Sequence, residues 1–233
     1  DNLTMDEAVE RGMSLLRSEG AHYVVTPNPE IVEVCREDAA ARAAGNGASL
    51  VLPDGIGVIK GAAMLGTPLK ERTPGIEFAA HIVERMAEEG LSLYLLGAKP
   101  GVAEKAAENL KKQYPGLVIA GTHDGYFKED GPVVEDIRQS GADCVFVCLG
   151  APKQEFFMQR LLPHLNRGVM LGVGAAFSYY LDELKDYKFR LGEIRMNWIL
   201  RLFTEPKKQF RRVGSMMLCY PMIYNNERKK RRS

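Results

Sequence analysis

The sequence predicts an α/β fold: a mostly parallel sheet with flanking helices, then a basic helical C-terminal appendage. Short, continuous apolar runs such as residues 91–96 and 143–149 read as strands buried on both faces. They alternate with segments of helical period, the pattern of a parallel sheet covered by helices. The third observation is a change of character near Lys185. Residues 185–233 hold 14 Lys and Arg against 4 Asp and Glu, whereas residues 1–184 carry a net charge of −9. The chain therefore divides into an α/β body over residues 1–184, Rossmann-like in its alternation, and an appendage over residues 185–233. At 233 residues and 45% hydrophobic, it is long enough for one large domain or two small ones.

Taken in order, Thr4-x-x-Glu7 is a capping box that opens a helix through about Ser18, and Gly20 stops it. Residues 21–26 form a strand. Pro29 suits the first turn of a helix over residues 29–44, with Asn28 as its N-cap. Residues 49–52 are a short strand ending in Pro53-Asp54-Gly55-Ile56-Gly57. A helix follows to about Met64, then a loop to Gly75. Residues 76–89 are an amphipathic helix closed by Gly90. The strand at 91–96 leads into Gly97-Ala98-Lys99-Pro100-Gly101 and a helix to Tyr114. Residues 117–120 are a strand, followed by Gly121-Thr122-His123-Asp124-Gly125-Tyr126-Phe127. A helix over 132–140, the strand at 143–149, a helix from Lys153 to Leu162 and a strand at 169–173 complete the body. In the appendage, Ile194, Trp198, Ile199, Leu202 and Phe203 recur at helical spacing.

Candidate polar groups follow predicted strands: Thr26 and Asn28, then Asp54, then Thr122 to Asp124, then Lys153 to Glu155. Four such loops are what a ligand crevice at the carboxyl edge of a parallel sheet needs. Pro27 and Pro29 stiffen the backbone that carries Thr26 and Asn28; a plain rigid turn is the competing reading. Asp54, on a Gly-rich turn, is the leading general-base candidate. An Asx-turn or helix N-cap would use the same residue. Residues 97–101 place backbone N–H groups at a helix start, a generic phosphate cradle, or form a simple strand-to-helix turn. Lys153 and Gln154 at a helix start suit nucleotide recognition, against a solvated first turn. His123 has no partner at metal-ligand spacing, and neither GxGxxG nor GxxxxGK[ST] occurs.

Cys35, Cys144, Cys148 and Cys219 form no CxxC and no metal-ligand spacing, and they read as small buried hydrophobes in a reducing compartment. No signal-peptide pattern opens the sequence, and no apolar run reaches the roughly 18–20 residues that span a bilayer. No Asp-x-Asp, Gly-x-Ser-x-Gly or clustered His pair is present, which argues against metal-dependent sugar-nucleotide transferases, hydrolases and metalloenzymes. The tail arginines either solvate helices docked on the body or bind diphosphate and anionic lipid headgroups. The acidic body and the lack of aromatic–basic interleaving argue against nucleic acid.

These motifs resemble one family. Thr26-Pro27-Asn28-Pro29-Glu30, Pro53-Asp54-Gly55-x-Gly57, Gly125-Tyr126-Phe127, Leu149-Gly150-Ala151-Pro152-Lys153-Gln154-Glu155 and Gly172-Val173-Gly174-Ala175-Ala176-Phe177 look like the WecG/TagA/CpsF glycosyltransferases, family 26. So does Trp198-x-x-Arg201-Leu202-x-x-Glu205-Pro206. The resemblance implies an inverting, metal-independent transfer from a UDP-sugar to undecaprenyl-diphosphate-linked GlcNAc, with no cofactor. In the TagA branch the sugar is N-acetylmannosamine and the product feeds wall teichoic acid. Asp54 would be the base, and Thr26 and Asn28 would position the sugars. Arg72 would lie near the leaving diphosphate and Gln154 would contact the donor. Arg201, Arg211 and Arg212 would grip phosphate from an appendage seated on the anionic cytoplasmic face of the membrane, making the protein peripheral. Ser178 stands where family members usually carry Asp, and Tyr179-Tyr180-Leu181-Asp182-Glu183-Leu184 replaces a small, Gly-containing, basic segment. Family members often have a strand before the equivalent of Asp1-Asn2-Leu3-Thr4, so the start reads as truncated. A non-catalytic, membrane-bound nucleotide-sugar scaffold is the alternative from another class, and the sequence leaves a homo-oligomer open.

Overall fold

The computed structural model describes residues 1–174. Ser178 to Leu184, the appendage over residues 185–233, and Arg201, Arg211 and Arg212 within it lie outside the described residues.

Helix α1 (Met5–Arg17) opens on the expected capping box: the Glu7 N–H donates to Thr4 Oγ1 (3.3 Å) and the Thr4 N–H to the Glu7 carboxylate (2.8 Å). Strand β1 (Gly20–Val25) follows. The single helix expected over residues 29–44 is two, α2 (Pro29–Glu37) and α3 (Ala39–Asn46). Asp38 divides them. Its backbone is extended, and its Oδ1 accepts from the N–H groups of Ala40 (2.8 Å) and Ala41 (3.2 Å), which makes it the N-cap of α3. A short acceptor side chain competes with the helix ladder for backbone donors, and here the cap wins. Then come β2 (Leu50–Val51), α4 (Ile56–Met64) and α5 (Gly75–Glu89). Gly90 ends α5 at φ +66°, the left-handed stop that glycine adopts without strain. The remainder is β3 (Ser92–Gly97), α6 (Val102–Gln113), β4 (Val118–His123), α7 (Asp130–Ser140), β5 (Cys144–Cys148), α8 (Lys153–Leu161), a 3₁₀ turn Leu162–His164, and β6 (Arg167–Gly172).

These strands form a six-stranded sheet in the order β2-β1-β6-β5-β3-β4, and every pairing is parallel. The sheet is buried on both faces, as the continuous apolar runs require. Val24, Leu93, Leu95, Phe146 and Leu171 pack with α1, α5 and α6. Tyr23, Tyr94, Leu96, Val145, Val147 and Met170 pack on the other face with α7 and α8. Leu93, Leu95 and Leu96 are fully shielded, and each such side chain stabilises the fold by about 1.5–3 kcal/mol.

Strand order also locates a crevice. From β3 the chain crosses through α6 to the outer strand β4, while from β5 it crosses through α8 toward β6, in the opposite direction. Right-handed crossovers running opposite ways put α6 and α8 on opposite faces. The loops leaving β3 and β5 therefore diverge, and a crevice opens at their carboxyl ends. At the amino ends, Asp143 ties the sheet together: it accepts from the Ser92 N–H (2.8 Å) and hydroxyl (2.7 Å) and pairs with Arg167.

Candidate active site

Along the carboxyl edge the loops follow the strand order. Asp54 comes after β2, Thr26 and Asn28 after β1, Gly174 after β6, Lys153 and Gln154 after β5, residues 97–101 after β3, and Asp124 after β4. Neighbouring strands lie about 4.8 Å apart, so this edge spans roughly 24 Å.

One wing joins the loops after β1 and β2 to the segment before α5. The Asp54 N–H donates to the Pro27 carbonyl (3.1 Å), Leu52 N–H to Val25 (2.9 Å), and Thr73 N–H to Pro53 (2.9 Å). Thr26 packs directly on the start of α5: a Cβ on Gly75 would lie 2.4 Å from Thr26 Oγ1. The backbone segments that carry Thr26, Asn28, Asp54 and Arg72 are thus brought together. Asn28 is the N-cap it was expected to be, its Oδ1 accepting from the Ile31 N–H at 3.0 Å. Asp54 is not a helix cap: the N-cap of α4 is Gly55, at φ +92°, and α4 has no side-chain cap bond. Its half-buried carboxyl sits on the stitched turn. Arg72 is exposed and pairs only loosely with Glu77 (3.4 Å), an arrangement of small energetic consequence. Thr73 is fully buried with its hydroxyl unpartnered among the described residues; sequence reading did not single it out.

The other wing surrounds the switch point. Ala98 holds φ +62°, rare for a residue with a Cβ. Its N–H donates to Cys148 (3.2 Å) and its carbonyl accepts from Gly125 (2.9 Å), which links the loops after β3, β4 and β5. Strained backbone held by such bonds is characteristic of functional loops. The Asp124 side chain accepts from the Tyr126 N–H (2.7 Å), making a tight turn. Lys153 Nζ reaches the Gly125 carbonyl (3.5 Å) and lies 5.1 Å from the Phe127 ring centre, a cation–π distance. Thr122 and His123, expected in the loop after a strand, belong to β4, which runs on to His123. Thr122 pairs with Leu95 in the ladder; a half-buried edge strand lacks the apolar run that would have announced its end.

Between the wings sit Gln154 and Glu155, each only 4% exposed. The solvated first turn that competed for them is therefore incorrect. Gln154 Nε2 donates to Glu155 Oε1 (2.9 Å), and Gln154 Oε1 accepts from the Gly174 N–H (3.1 Å). Burial pushes the Glu155 carboxyl above its ordinary value, partly opposed by the Gln154 bond. The signal was present: residues 154, 157, 158 and 161 recur at i, i+3, i+4, i+7, and Phe157, Met158 and Leu161 form the buried stripe of α8.

The arrangement offers a carboxylate on a glycine turn whose backbone is bonded to the loop that carries Thr26 and Asn28. Backbone donors and cations lie farther along the same edge. That suits proton removal from a hydroxyl at one wing and anion binding toward the other. Among the described residues no group of three or more His, Cys, Asp or Glu could hold a metal, and no helix is long and apolar enough to cross a membrane.

Comparison with known proteins gives the family. The N-acetylglucosaminyldiphosphoundecaprenol N-acetyl-beta-D-mannosaminyltransferase of Bacillus spizizenii is 31% identical over 206 residues, covering 88% of this chain and 80% of the relative. The protein of the same name from Staphylococcus aureus is 30% identical over 235 residues, covering 100% of this chain and 91% of the relative. The sequence pattern of the glycosyl transferase WecG/TagA/CpsF family matches residues 1–233. A parallel sheet whose carboxyl edge carries the expected Asp54, Thr26 and Gln154 loops, matched over its whole length by that pattern, belongs to the WecG/TagA/CpsF family of glycosyltransferases.

Proposed function

We propose that this enzyme is an inverting, metal-independent transferase. It moves N-acetylmannosamine from UDP-N-acetylmannosamine to undecaprenyl-diphosphate-linked GlcNAc, in the synthesis of wall teichoic acid. The observation that carries the reading is the pinning of the Asp54 turn to the Thr26–Asn28 loop and the start of α5. It supports a reading in which the Asp54 carboxyl works beside the hydroxyl of Thr26 and the amide of Asn28.

In this reading Asp54 takes the proton of the acceptor hydroxyl as its oxygen attacks the anomeric carbon. The bond to UDP breaks on the opposite face, so the configuration inverts. Thr26 and Asn28 orient the sugars. The UDP extends along the edge toward the switch point, where residues 97–101, Thr122, Asp124, Lys153 and Gln154 receive it. Negative charge builds on the departing diphosphate, and without a metal cations must meet it. Arg72 is the described candidate, and Arg201, Arg211 and Arg212 are the candidates in the tail. Their planar forks match phosphate, and the net charge of the tail suits an anionic cytoplasmic membrane surface.

Ser178, in place of the usual family Asp, favours a second reading in which the donor is UDP-Glc, UDP-Gal or UDP-ManNAcA and the polymer is capsule or exopolysaccharide. Release of UDP from each of the four donors, with a lipid-linked GlcNAc acceptor and with EDTA present, tests both. Turnover with UDP-ManNAc alone supports the first reading, and turnover with another donor the second. No turnover with any of them would leave the scaffold alternative.

A further inference from the structure

Gln154 meets two partners that demand opposite ends of its amide. Gly174 offers an N–H, which needs the amide oxygen. Glu155 Oε1 is an acceptor, which needs the amide nitrogen. The amide lies close against the end of β6: a Cβ on Gly172 would come within 2.9 Å of Gln154 Nε2. In that confined place the two ends of an amide are nearly the same size, so packing cannot choose between them. Glu155 can choose, because Oε1 accepts whether or not the carboxyl is ionised.

We infer that Glu155 is a positioning residue: acting through the Gln154 amide, it fixes the Gly174 N–H and the carboxyl end of β6 at the centre of the crevice. β6 lies between β1, which carries Thr26 and Asn28, and β5, which carries Lys153. The end of β6, with the Gly174 N–H just beyond it, therefore lies between the two wings. An apolar residue at 155 would fill the space. A buried carboxyl with Oε2 unpartnered among the described residues costs stability, and packing alone gives no reason to keep it. The functional consequence rests on the transferase reading, in which the donor crosses this point.

The test uses the full chain in four variants: Glu155→Met, Glu155→Gln, Gln154→Glu and the exchange Gln154→Glu/Glu155→Gln. Two quantities are read: hydrogen exchange at the Gly174 amide, and KM against kcat for the UDP-sugar. In Glu155→Met, exchange at Gly174 accelerates about tenfold, and the donor KM rises about fivefold with a smaller change in kcat. Glu155→Gln stays within about twofold of the parent in both, because it still offers an oxygen to Gln154. Gln154→Glu sets two carboxyl groups against each other and fails. The exchange variant restores one donor and one acceptor and recovers Gly174 protection, a coupling that independent sites do not show. Unchanged Gly174 exchange in Glu155→Met overturns the inference, as does an exchange variant no better than Gln154→Glu. Should Glu155→Met not fold, the isosteric pair carries the test. If the parent protein turned over no UDP-sugar, the transferase reading would fail, while Gly174 exchange would still decide this one.

Discussion

Replacing Gly75 by alanine probes the contact on which the proposed chemistry depends. An added Cβ would lie 2.4 Å from Thr26 Oγ1, 3.0 Å from its Cβ and 3.1 Å from its Cγ2. Rotating the threonine can turn Oγ1 away but leaves its Cβ 3.0 Å from the added carbon, tighter than an ordinary contact, so no rotamer removes the crowding altogether. Thr26 also precedes Pro27, which confines its backbone to extended conformations. The strain must move either Thr26 or the start of α5. Overpacking of this kind costs about 1–3 kcal/mol, which for a chain of this size lowers Tm by roughly 3–10 °C. A displacement near 1 Å at a substrate-positioning group lowers kcat/KM on the order of 100-fold. Thermal melting and steady-state UDP release measure the two effects. The double variant Gly75→Ala/Thr26→Ala regains most of the lost Tm, because Oγ1 and Cγ2 are gone and only the 3.0 Å Cβ contact stays, but it does not regain activity. A Gly75→Ala protein with parental Tm and kinetics would refute the argument, as would a double variant no more stable than Gly75→Ala.

Asn28→Ala removes the acceptor that caps α2 and costs about 1 kcal/mol by denaturant unfolding; Asn28→Asp keeps the cap and the stability, and raises substrate KM by losing the amide donor. Gly97→Ala places a Cβ 2.4 Å from the Cys148 carbonyl oxygen at φ +126°, so circular dichroism should find it unfolded or below the parent by at least about 4 kcal/mol. The Glu155 carboxyl, raised by burial from 4.5, keeps its proton in the folded chain where the unfolded chain has released it. Its contribution is therefore full below about pH 4.5 and is lost as pH climbs through the folded value. The Tm of Glu155→Gln relative to the parent accordingly improves with pH across that interval and then levels off, and a difference independent of pH would contradict the burial assignment.

Most strands and helices were legible because two-sided burial and helical period leave strong marks. The Thr4–Glu7 box and the Asn28 cap were read from local chemistry alone, and both form as expected. Asp38 was missed because an acidic residue among alanines also suits a solvated helix surface, and only its extended backbone reveals a cap. β4 was read three residues short at its carboxyl end, because a half-buried edge strand tolerates Thr122 and His123. The site was legible as a set of strand ends. Their order along the edge was not, because strand order depends on crossovers between distant segments. Burial of Gln154 was readable from the stripe of α8, yet its polarity suggested the surface; Glu155 lies off that series.

Asp54→Asn tests the central claim most directly. The substitution keeps the size of the side chain, and the Asp54 N–H to Pro27 bond that stitches the turn belongs to the backbone. The variant should therefore fold and bind the UDP-sugar with parental affinity by calorimetry. Transfer to the lipid-linked acceptor should fall by about 10²–10⁴-fold, the usual worth of a general base. Transfer within threefold of the parent, at equal donor affinity, would contradict the assignment of Asp54 as the base.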